Sequence, residues 1–159
     1  MRLNIGCGVE TIERPGWVNV DAAPAKPHVL KARADELQVP TGSAEQIVSS
    51  HMLEHLEDPG AALREWHRAL APGGEVLVAV PDVSREPEWI GAHLATLRAR
   101  GGNALEEHYG AGFTKESLKA VLREAGFVEV VDVDPEMRWE LPGKADWQAC
   151  ASGRKARAL

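Results

Sequence analysis

The stretch that most restricts the fold lies in the middle of the chain. A short apolar run at residues 46–50 is followed by a helical pattern that starts at Asp58 and Pro59 and stops at a Pro-Gly-Gly sequence. Asp is a favoured N-cap and Pro a favoured first helical residue, which defines the start of the helix. Residues 75–80 are then almost continuously apolar, as expected for a parallel strand buried on both faces. Strand, helix and strand in this order predict a βαβ unit and therefore an α/β fold.

The first strand, predicted over residues 2–5, ends at Gly6-Cys7-Gly8. Glycine tolerates positive φ and has no Cβ, so this spacing suits a backbone that approaches a ligand closely. In doubly wound α/β folds the ligand lies outside the carboxyl end of such a strand. The same glycines would also fit an ordinary turn, but Asp21, at the end of the next apolar run, favours a ligand-binding crevice.

Seven runs have the length and apolar content of strands: residues 2–5, 17–20, 28–31, 46–50, 75–80, 127–133 and 145–151. The last strand is predicted antiparallel, because a loop with no helical pattern joins it to the strand before it. A second helix is predicted after Thr114 as N-cap, with Gly126 as the glycine beyond its C-terminus. Residues 82–113 leave this regular alternation, and they contain a candidate amphipathic helix over 86–100 and a loop over 106–113.

Composition sets the function classes to which the chain can belong. A length of 159 residues, with 44% hydrophobic and 26% charged residues, is that of one globular domain with its own core. The net charge of −6 is opposite in sign to an electrostatic nucleic-acid footprint, and the basic cluster Arg154, Lys155 and Arg157 is interpreted as a solvated tail. No apolar run is long enough for a membrane span, and no signal-peptide pattern is present. Cys7 and Cys150 form no disulfide framework, and together these features predict a cytoplasmic protein.

Four segments occur in the order and at the spacing of a known family: LNIGCG at 3–8, PGWVNVD at 15–21, IVSSHMLEHL at 47–56 and LAPGG at 70–74. Together they resemble the class I S-adenosylmethionine-dependent methyltransferases, and the pattern LNxGCG…PGWxNVD is closest to a small bacterial branch. The resemblance covers residues 2–134 and implies a Rossmann-like, doubly wound sheet of order 3-2-1-4-5-7-6, mostly parallel, with strand seven antiparallel. It implies a single S-adenosylmethionine-dependent methyltransferase domain over residues 1–159, in which the usual N-terminal cap helix is missing.

The resemblance also assigns residues to the cofactor, S-adenosyl-L-methionine, and to its product, S-adenosyl-L-homocysteine. Gly6 and Gly8 would pass under the methionine part, and Asp21 would accept hydrogen bonds from the ribose hydroxyls. Asp35 would face the adenine amino group, and Glu36 would offer its backbone. The complete predicted cofactor-binding set is Asn4, Gly6, Cys7, Gly8, Asp21, Ala22, Asp35, Glu36, Ser50 and His51.

The sequence departs from the family pattern at the start of this site. Asn4 stands where an acidic residue is usual, and Glu10 where a third glycine is common. The crossover after Gly8 has room for at most a turn or two of helix before Pro15 and Gly16. A nicotinamide oxidoreductase is the less favoured alternative, because its G-x-G-x-x-G fingerprint needs a third glycine and a full helix N-terminus to hold a pyrophosphate. S-adenosylmethionine has no pyrophosphate and needs neither.

Residues 51–55 also spell H-x-x-E-H, an inverted zinc-peptidase motif. That motif needs a continuous helix, whereas here a strand precedes it and Pro59 follows closely, so we predict no metal site. Glu54 and His55 are interpreted as structural, because an acidic residue and a histidine in a strand-to-helix turn can bond to backbone.

His51 is the candidate catalytic base. Ser50 and His51 would border the methionine end of the cofactor, where a histidine can remove the proton of an acceptor hydroxyl near pH 7. The alternative is a histidine that only lines the pocket. Methyl transfer is an in-line displacement and otherwise needs mainly proximity and alignment. Residues 82–113 are predicted to form the acceptor-side wall, since no segment before the first strand supplies a lid. The acceptor-side candidates are His108, Tyr109 and Trp89.

The resulting hypothesis is methyl transfer from S-adenosylmethionine to a small-molecule or sugar acceptor at oxygen. Family members that methylate amino groups of nucleic acid bases carry an Asn/Asp-Pro-Pro-aromatic motif after the fourth strand, and this chain has SSHM at 49–52 instead. We therefore expect no nucleic-acid partner, and no membrane partner. The oligomeric state stays open, a dimer included. The alternative from another class is a non-catalytic domain that binds the cofactor or a protein partner.

Overall fold

The computed structural model describes residues 1–85, 112–134, 136, 138, 140 and 148–157. Its seven strands are β1 Arg2–Ile5, β2 Trp17–Asp21, β3 Leu30–Lys31, β4 Ala44–Ser50, β5 Leu70–Pro81, β6 Val128–Asp132 and β7 Gln148–Arg154. They form one mixed sheet of order β3-β2-β1-β4-β5-β7-β6. β7 pairs antiparallel with β5 and with β6, and the other neighbours pair parallel. The strand order and the antiparallel seventh strand are confirmed.

Helix α1 (Pro59–Ala69) links β4 to β5 and starts at the predicted residue. The side chain of Asp58 accepts a hydrogen bond from the backbone N–H of Ala61 at 2.8 Å, which satisfies one of the free donors at the helix start. Leu63 and Trp66 are fully buried against the sheet. The βαβ unit inferred from the sequence is therefore present.

Helix α2 (Lys115–Glu124) precedes β6 and begins in a capping box. The Thr114 hydroxyl accepts from the Ser117 backbone N–H, and the Ser117 hydroxyl accepts from the Thr114 backbone N–H. Leu118 and Leu122 are fully buried. Gly126 follows the helix with φ +98°, a value that favours glycine. Both predicted ends of this helix are confirmed.

Strand β5 begins earlier than predicted, at Leu70 rather than at residue 75. The Pro-Gly-Gly sequence lies inside the strand, where Ala44 pairs with Leu70 but Gln46 pairs with Glu75. Between these two pairs β4 advances by two residues and β5 by five. The Pro-Gly-Gly sequence therefore forms a bulge within the strand and does not interrupt it. The backbone turns there through Gly73, whose φ is +80°.

The basic cluster near the end of the sequence is only partly a solvated tail: Arg154 and Arg157 are exposed, whereas Lys155 is half-buried. The Lys155 Nζ donates to the carbonyl of Leu70 at 2.8 Å and to that of Arg68 at 3.4 Å. A cation at this end of α1 satisfies free carbonyls and opposes the helix dipole. Arg154 donates to the carbonyl of Gly73 at 3.1 Å. The interpretation as a solvated tail is therefore wrong for Lys155, because the sequence does not show which backbone carbonyls lie near its side chain.

The crossover from β1 to β2, residues 6–16, contains no helix and is held by two buried asparagines. The Asn4 amide donates to the carbonyl of Glu10 and to the Asn19 side-chain oxygen, both at 2.9 Å. The same Asn19 oxygen accepts the backbone N–H of Ile12 at 2.8 Å. A carboxylate at position 4 could not donate either hydrogen bond. The asparagine that departs from the family pattern is therefore the residue that holds this helix-free crossover in place.

Both described helices pack on one face of the sheet, over a core that includes Trp66, Leu118 and Leu122. A smaller buried cluster of Val48, Leu77, Ala79 and Cys150 lies apart from it, and Ile12 and Trp17 pack against that cluster. The carboxyl ends of β1, β2 and β4 thus stay accessible between the crossover loops, where the site described below lies.

The helix predicted over residues 86–100, and with it Trp89, His108 and Tyr109, lies outside the described residues. The two ends of this insertion meet: Asp82 and Phe113 form a parallel bridge, and the Val83 N–H donates to the Phe113 carbonyl at 2.9 Å. Within the described ranges, no helix is long and apolar enough to cross a membrane.

Candidate active site

Two adjoining cavities at the carboxyl ends of β1, β2 and β4 share Gly6. The first, of about 260 Å³, is lined by Asn4, Gly6, Cys7, Gly8, Val9, Glu10, Ser50 and His51. The second, of about 210 Å³, is lined by Ile5, Gly6, Asp21, Ala22, Ala32, Arg33, Ala34, Asp35, Met52, His55 and Leu56. Together they reach the size of a small-ligand cleft, roughly 300–1,000 Å³. All predicted cofactor-binding residues except Glu36 line one of the two.

Gly6 and Gly8 both adopt positive φ, +67° and +49°, as the Gly-x-Gly spacing predicted. A Cβ at Gly8 would meet nothing within 4 Å, so the backbone there faces open space. A Cβ at Gly6 would instead collide with the side chain of Met52. The close approach expected of a ligand is therefore made at Gly6 by a residue of the chain itself.

Asp21 connects the glycine loop to the start of the next loop. Its Oδ2 accepts the backbone N–H of Gly8, and its Oδ1 accepts that of Ala23, both at 2.8 Å. A carboxylate offers about four acceptor sites, so roughly two remain for ribose hydroxyls. Asp21 thus caps both loops, and it lines the second cavity as well.

The second cavity has an acidic edge and an apolar floor. Both oxygens of Asp35 accept from Arg33, at 2.8 and 2.7 Å, and these hydrogen bonds hold the pKa of Asp35 below its ordinary value. Met52 and Leu56 supply apolar surface that the sequence reading did not assign to the site. Glu36 lies in a neighbouring surface depression instead, and its N–H donates to the Arg33 carbonyl at 3.2 Å.

The first cavity contains a thiol that is held protonated. Burial, with the nearby Asp21 charge, raises the pKa of the Cys7 thiol above its ordinary value. Only a thiolate is strongly nucleophilic, so Cys7 contributes to the wall of the cavity and not to its chemistry near pH 7.

His51 directly follows β4 and has a left-handed backbone conformation, with φ +52°. Such a conformation costs a non-glycine residue about 1–3 kcal/mol and occurs preferentially at functional sites. Its N–H donates to the carbonyl of Ala79 in β5 at 2.9 Å, which fixes the backbone. The imidazole lines the first cavity beside Ser50 and contacts the side-chain amide nitrogen of Gln148 from β7 through its Nε2.

Glu54 lies behind His51 in the 3-10 turn Leu53–His55. Its side chain is 2% exposed, and its Oε1 is 3.6 Å from His51 Nδ1 and 3.8 Å from His55 Nε2. Neither carboxylate oxygen accepts a hydrogen bond from the described residues. The carboxylate therefore does not bond to backbone, as sequence reasoning had suggested it could. The H-x-x-E-H spelling was the signal that could have paired Glu54 with His51.

A metal centre at these residues remains unsupported by the geometry. The motif forms a single 3-10 turn and not the continuous helix that the inverted peptidase motif requires. Within residues 1–85, 112–134 and 148–157, no group of three or more His, Cys, Asp or Glu side chains is placed to hold a metal ion.

A model of a methyltransferase-domain family matches residues 3–133. The chain belongs to that family. The expected enzyme class and cofactor are thereby confirmed: this is a class I S-adenosylmethionine-dependent methyltransferase. The glycine loop, the accessible carboxylate of Asp21 and the adjoining cavities fit such a cofactor, which supplies an activated methyl group on sulfur when it is bound.

Solved structures share the fold of this methyltransferase. An S-adenosylmethionine-dependent methyltransferase from Thermotoga maritima, described as a possible histamine N-methyltransferase, has 23% identity and a TM-score of 0.65, covering 97% of this chain and 81% of its own. One from Archaeoglobus fulgidus has 17% identity and a TM-score of 0.69, covering 97% and 85%. Phosphoethanolamine N-methyltransferase 2 from Haemonchus contortus, solved with S-adenosylmethionine, has 18% identity and a TM-score of 0.60, covering 86% of this chain and 35% of its own. No functionally curated protein matches the sequence.

Proposed function

We propose that this methyltransferase transfers the methyl group of S-adenosylmethionine to a hydroxyl of a small-molecule or sugar acceptor, with His51 as general base. The observation that carries the proposal is the position of His51. Its backbone has φ +52° at the carboxyl end of β4, and the residue lines the same cavity as the glycine loop. A hydroxyl is a weak nucleophile while it keeps its proton, so a positioned base has a task there.

Each half of the cofactor has a candidate cavity. The first cavity, between Gly8 and His51, would take the methionine part. The second would take the adenosine, with Asp21 accepting from the ribose hydroxyls and Asp35 facing the adenine amino group over the apolar surface of Met52. This division follows the shared wall at Gly6 and the two aspartates, Asp21 and Asp35, that line the second cavity.

The acceptor would enter along the insertion after β5. Asp82 and Phe113 close the base of that insertion at the carboxyl end of β5, next to the strand end that carries His51. This placement supports the proposal that residues 82–113 form the acceptor-side wall. The net charge of −6 favours a small acceptor over a nucleic acid, and a cytoplasmic, bacterial setting belongs to the same proposal.

Transfer to nitrogen is the second candidate, since two proteins of the same fold are named as N-methyltransferases, one of them only as a possible one. The test is calorimetry with S-adenosylmethionine, S-adenosylhomocysteine and NAD, followed by transfer of labelled methyl to matched sets of hydroxyl and amine acceptors. We expect both sulfur compounds to bind, NAD to give no heat, and hydroxyl acceptors to be labelled. Labelling of amines alone would replace the oxygen assignment. Binding without transfer to either set would favour the non-catalytic alternative.

A further inference from the structure

Burial of the Glu54 carboxylate lowers the free energy of unfolding of the protein. This carboxylate is 2% exposed and accepts no hydrogen bond from the described residues. A buried polar group without hydrogen-bond partners lowers the stability of a fold, and a catalytic role is one of the reasons for which such a group is kept. A purely structural turn residue would use its carboxylate to cap backbone N–H groups, as Asp58 and Asp21 do in this chain.

Both neighbours of this carboxylate are cavity-lining histidines. Glu54 Oε1 faces His51 Nδ1 at 3.6 Å and His55 Nε2 at 3.8 Å. These distances are longer than a hydrogen bond, as is common for catalytic pairs before substrate is present. The carboxylate thus lies beside Nδ1 of His51, and Nδ1 is the ring nitrogen whose proton it can receive.

The other ring nitrogen of His51 contacts Gln148. With the amide of Gln148 in its assigned orientation, its nitrogen meets His51 Nε2, and an amide nitrogen can only donate. His51 Nε2 is then the acceptor, which places the ring proton on Nδ1, toward Glu54. Gln148 is 3% exposed and sits at the first position of β7, so it is itself fixed by the sheet.

We propose that Glu54 is a positioning residue that holds the Nδ1 proton of His51 and so keeps Nε2 as the basic nitrogen, with Gln148 covering Nε2 until an acceptor hydroxyl replaces it. This rests on the proposed function, since it names the partner of the base assigned there. In the reaction, the hydroxyl proton moves to His51 Nε2 and the oxygen forms a bond to the methyl carbon. The carbon–sulfur bond breaks with its electron pair staying on sulfur, and the imidazolium later releases the Nε2 proton to water.

The first test reads the position of the proton in the protein without ligand. Nitrogen-15 NMR of histidine-labelled protein, at a pH where the rings are neutral, distinguishes Nδ1–H from Nε2–H. We expect His51 to carry its proton on Nδ1, and Glu54→Met combined with Gln148→Leu to shift the population toward Nε2–H. Met matches the unbranched shape of Glu without its oxygens. The matched control is Glu57→Met, which changes an exposed acid in the same segment.

The second test is a double-mutant cycle on methyl transfer. Glu54→Met should lower kcat at least about tenfold with little change in the KM for S-adenosylmethionine, because general-base catalysis contributes about 10²–10⁴-fold. In a His51→Ala background the same change should have no further effect, since Glu54 acts through His51. The melting temperature of Glu54→Met should not fall, because an apolar side chain of similar shape replaces a buried carboxylate that accepts no hydrogen bond from the described residues.

A proton on Nε2 in the wild-type protein would overturn the proposal, as would an equal loss of activity in Glu57→Met or an additional loss in the His51→Ala background. If S-adenosylhomocysteine fails to bind, the proposed function falls, while the NMR result still decides the role of Glu54. The two failures are therefore distinguishable.

Discussion

Replacing Asp21 by alanine tests the ligand site most directly, because the carboxylate has one task in the protein alone and a second in the complex. In the structure its two oxygens accept the backbone N–H groups of Gly8 and Ala23 at 2.8 Å each. Gly8 and Ala23 are exposed, so water can replace the lost acceptor. The cost to the free protein should therefore resemble that of a lost cap, about 0.5–2 kcal/mol.

The loss of binding free energy in the complex should be larger than this loss of stability, and it is measured independently of it. A hydrogen bond to a charged group contributes roughly 1.5–3 kcal/mol, so losing the ribose contacts should weaken S-adenosylhomocysteine binding about tenfold to more than a hundredfold. The melting temperature of the free protein should fall by only about 1–8 °C for a domain of this size. Calorimetric Kd values and thermal melts of ligand-free protein, measured on the same preparations, give both quantities.

Asp134 provides the matched control. Its Oδ1 accepts the backbone N–H of Glu136, two residues on, at 2.9 Å, which is the same local geometry as the bond from Ala23 to Asp21. It lines neither cavity. Asp134→Ala should therefore lower the melting temperature slightly and leave the Kd unchanged. An Asp21→Ala Kd within about threefold of the wild-type value, well under one decade, would show that Asp21 is not a ribose ligand.

Three further outcomes are expected. Asn4→Asp should lower the free energy of unfolding by about 2–3 kcal/mol, because a buried carboxylate cannot donate to the Glu10 carbonyl; an unchanged urea midpoint would contradict this. Burial first, and a neighbouring lysine second, lower the pKa of His67 below its ordinary 6.5. The unfolded chain then binds more protons than the folded one, so stability should fall as pH drops below about 6.5, and less so in His67→Gln, as urea unfolding across pH would show. Burial raises the pKa of both thiols, that of Cys150 to about 11, so alkylation of Cys7 and Cys150 at pH 7.5 should be at least tenfold slower than in denaturant; equal rates would contradict it.

The sequence was most informative where structure depends on neighbours in the chain. Asp58 and Thr114 cap their helices as predicted, because a cap needs only the next three residues. The Pro-Gly-Gly sequence shows the limit of local signals: it was predicted to stop α1, but the helix already ends at Ala69 and the sequence forms a bulge inside β5, which depends on how β4 pairs with it.

The candidate site divides in the same way. Gly6 and Gly8 follow the end of β1 and Asp21 is the last residue of β2, and the parallel arrangement brings them together, so motif and topology sufficed to predict this part. The bond from Gly8 to Asp21 and the contact from Gln148 to His51 join residues that are 13 and 97 positions apart. Pairings at such separations depend on strand register, and strand register cannot be predicted from a pattern in one sequence. Lys155 was misread for that reason.

The position of β7 has a consequence for how the polypeptide is made. It follows β6 in the sequence, yet it lies between β5 and β6 in the sheet. Until it leaves the ribosome, β5 presents an open edge whose residues 76–80 are fully buried in the finished protein, and β6 has no strand to join. An apolar edge of this kind is a template for pairing with other chains. The nascent protein therefore has to keep that edge covered until β7 has been synthesised and can pair with it.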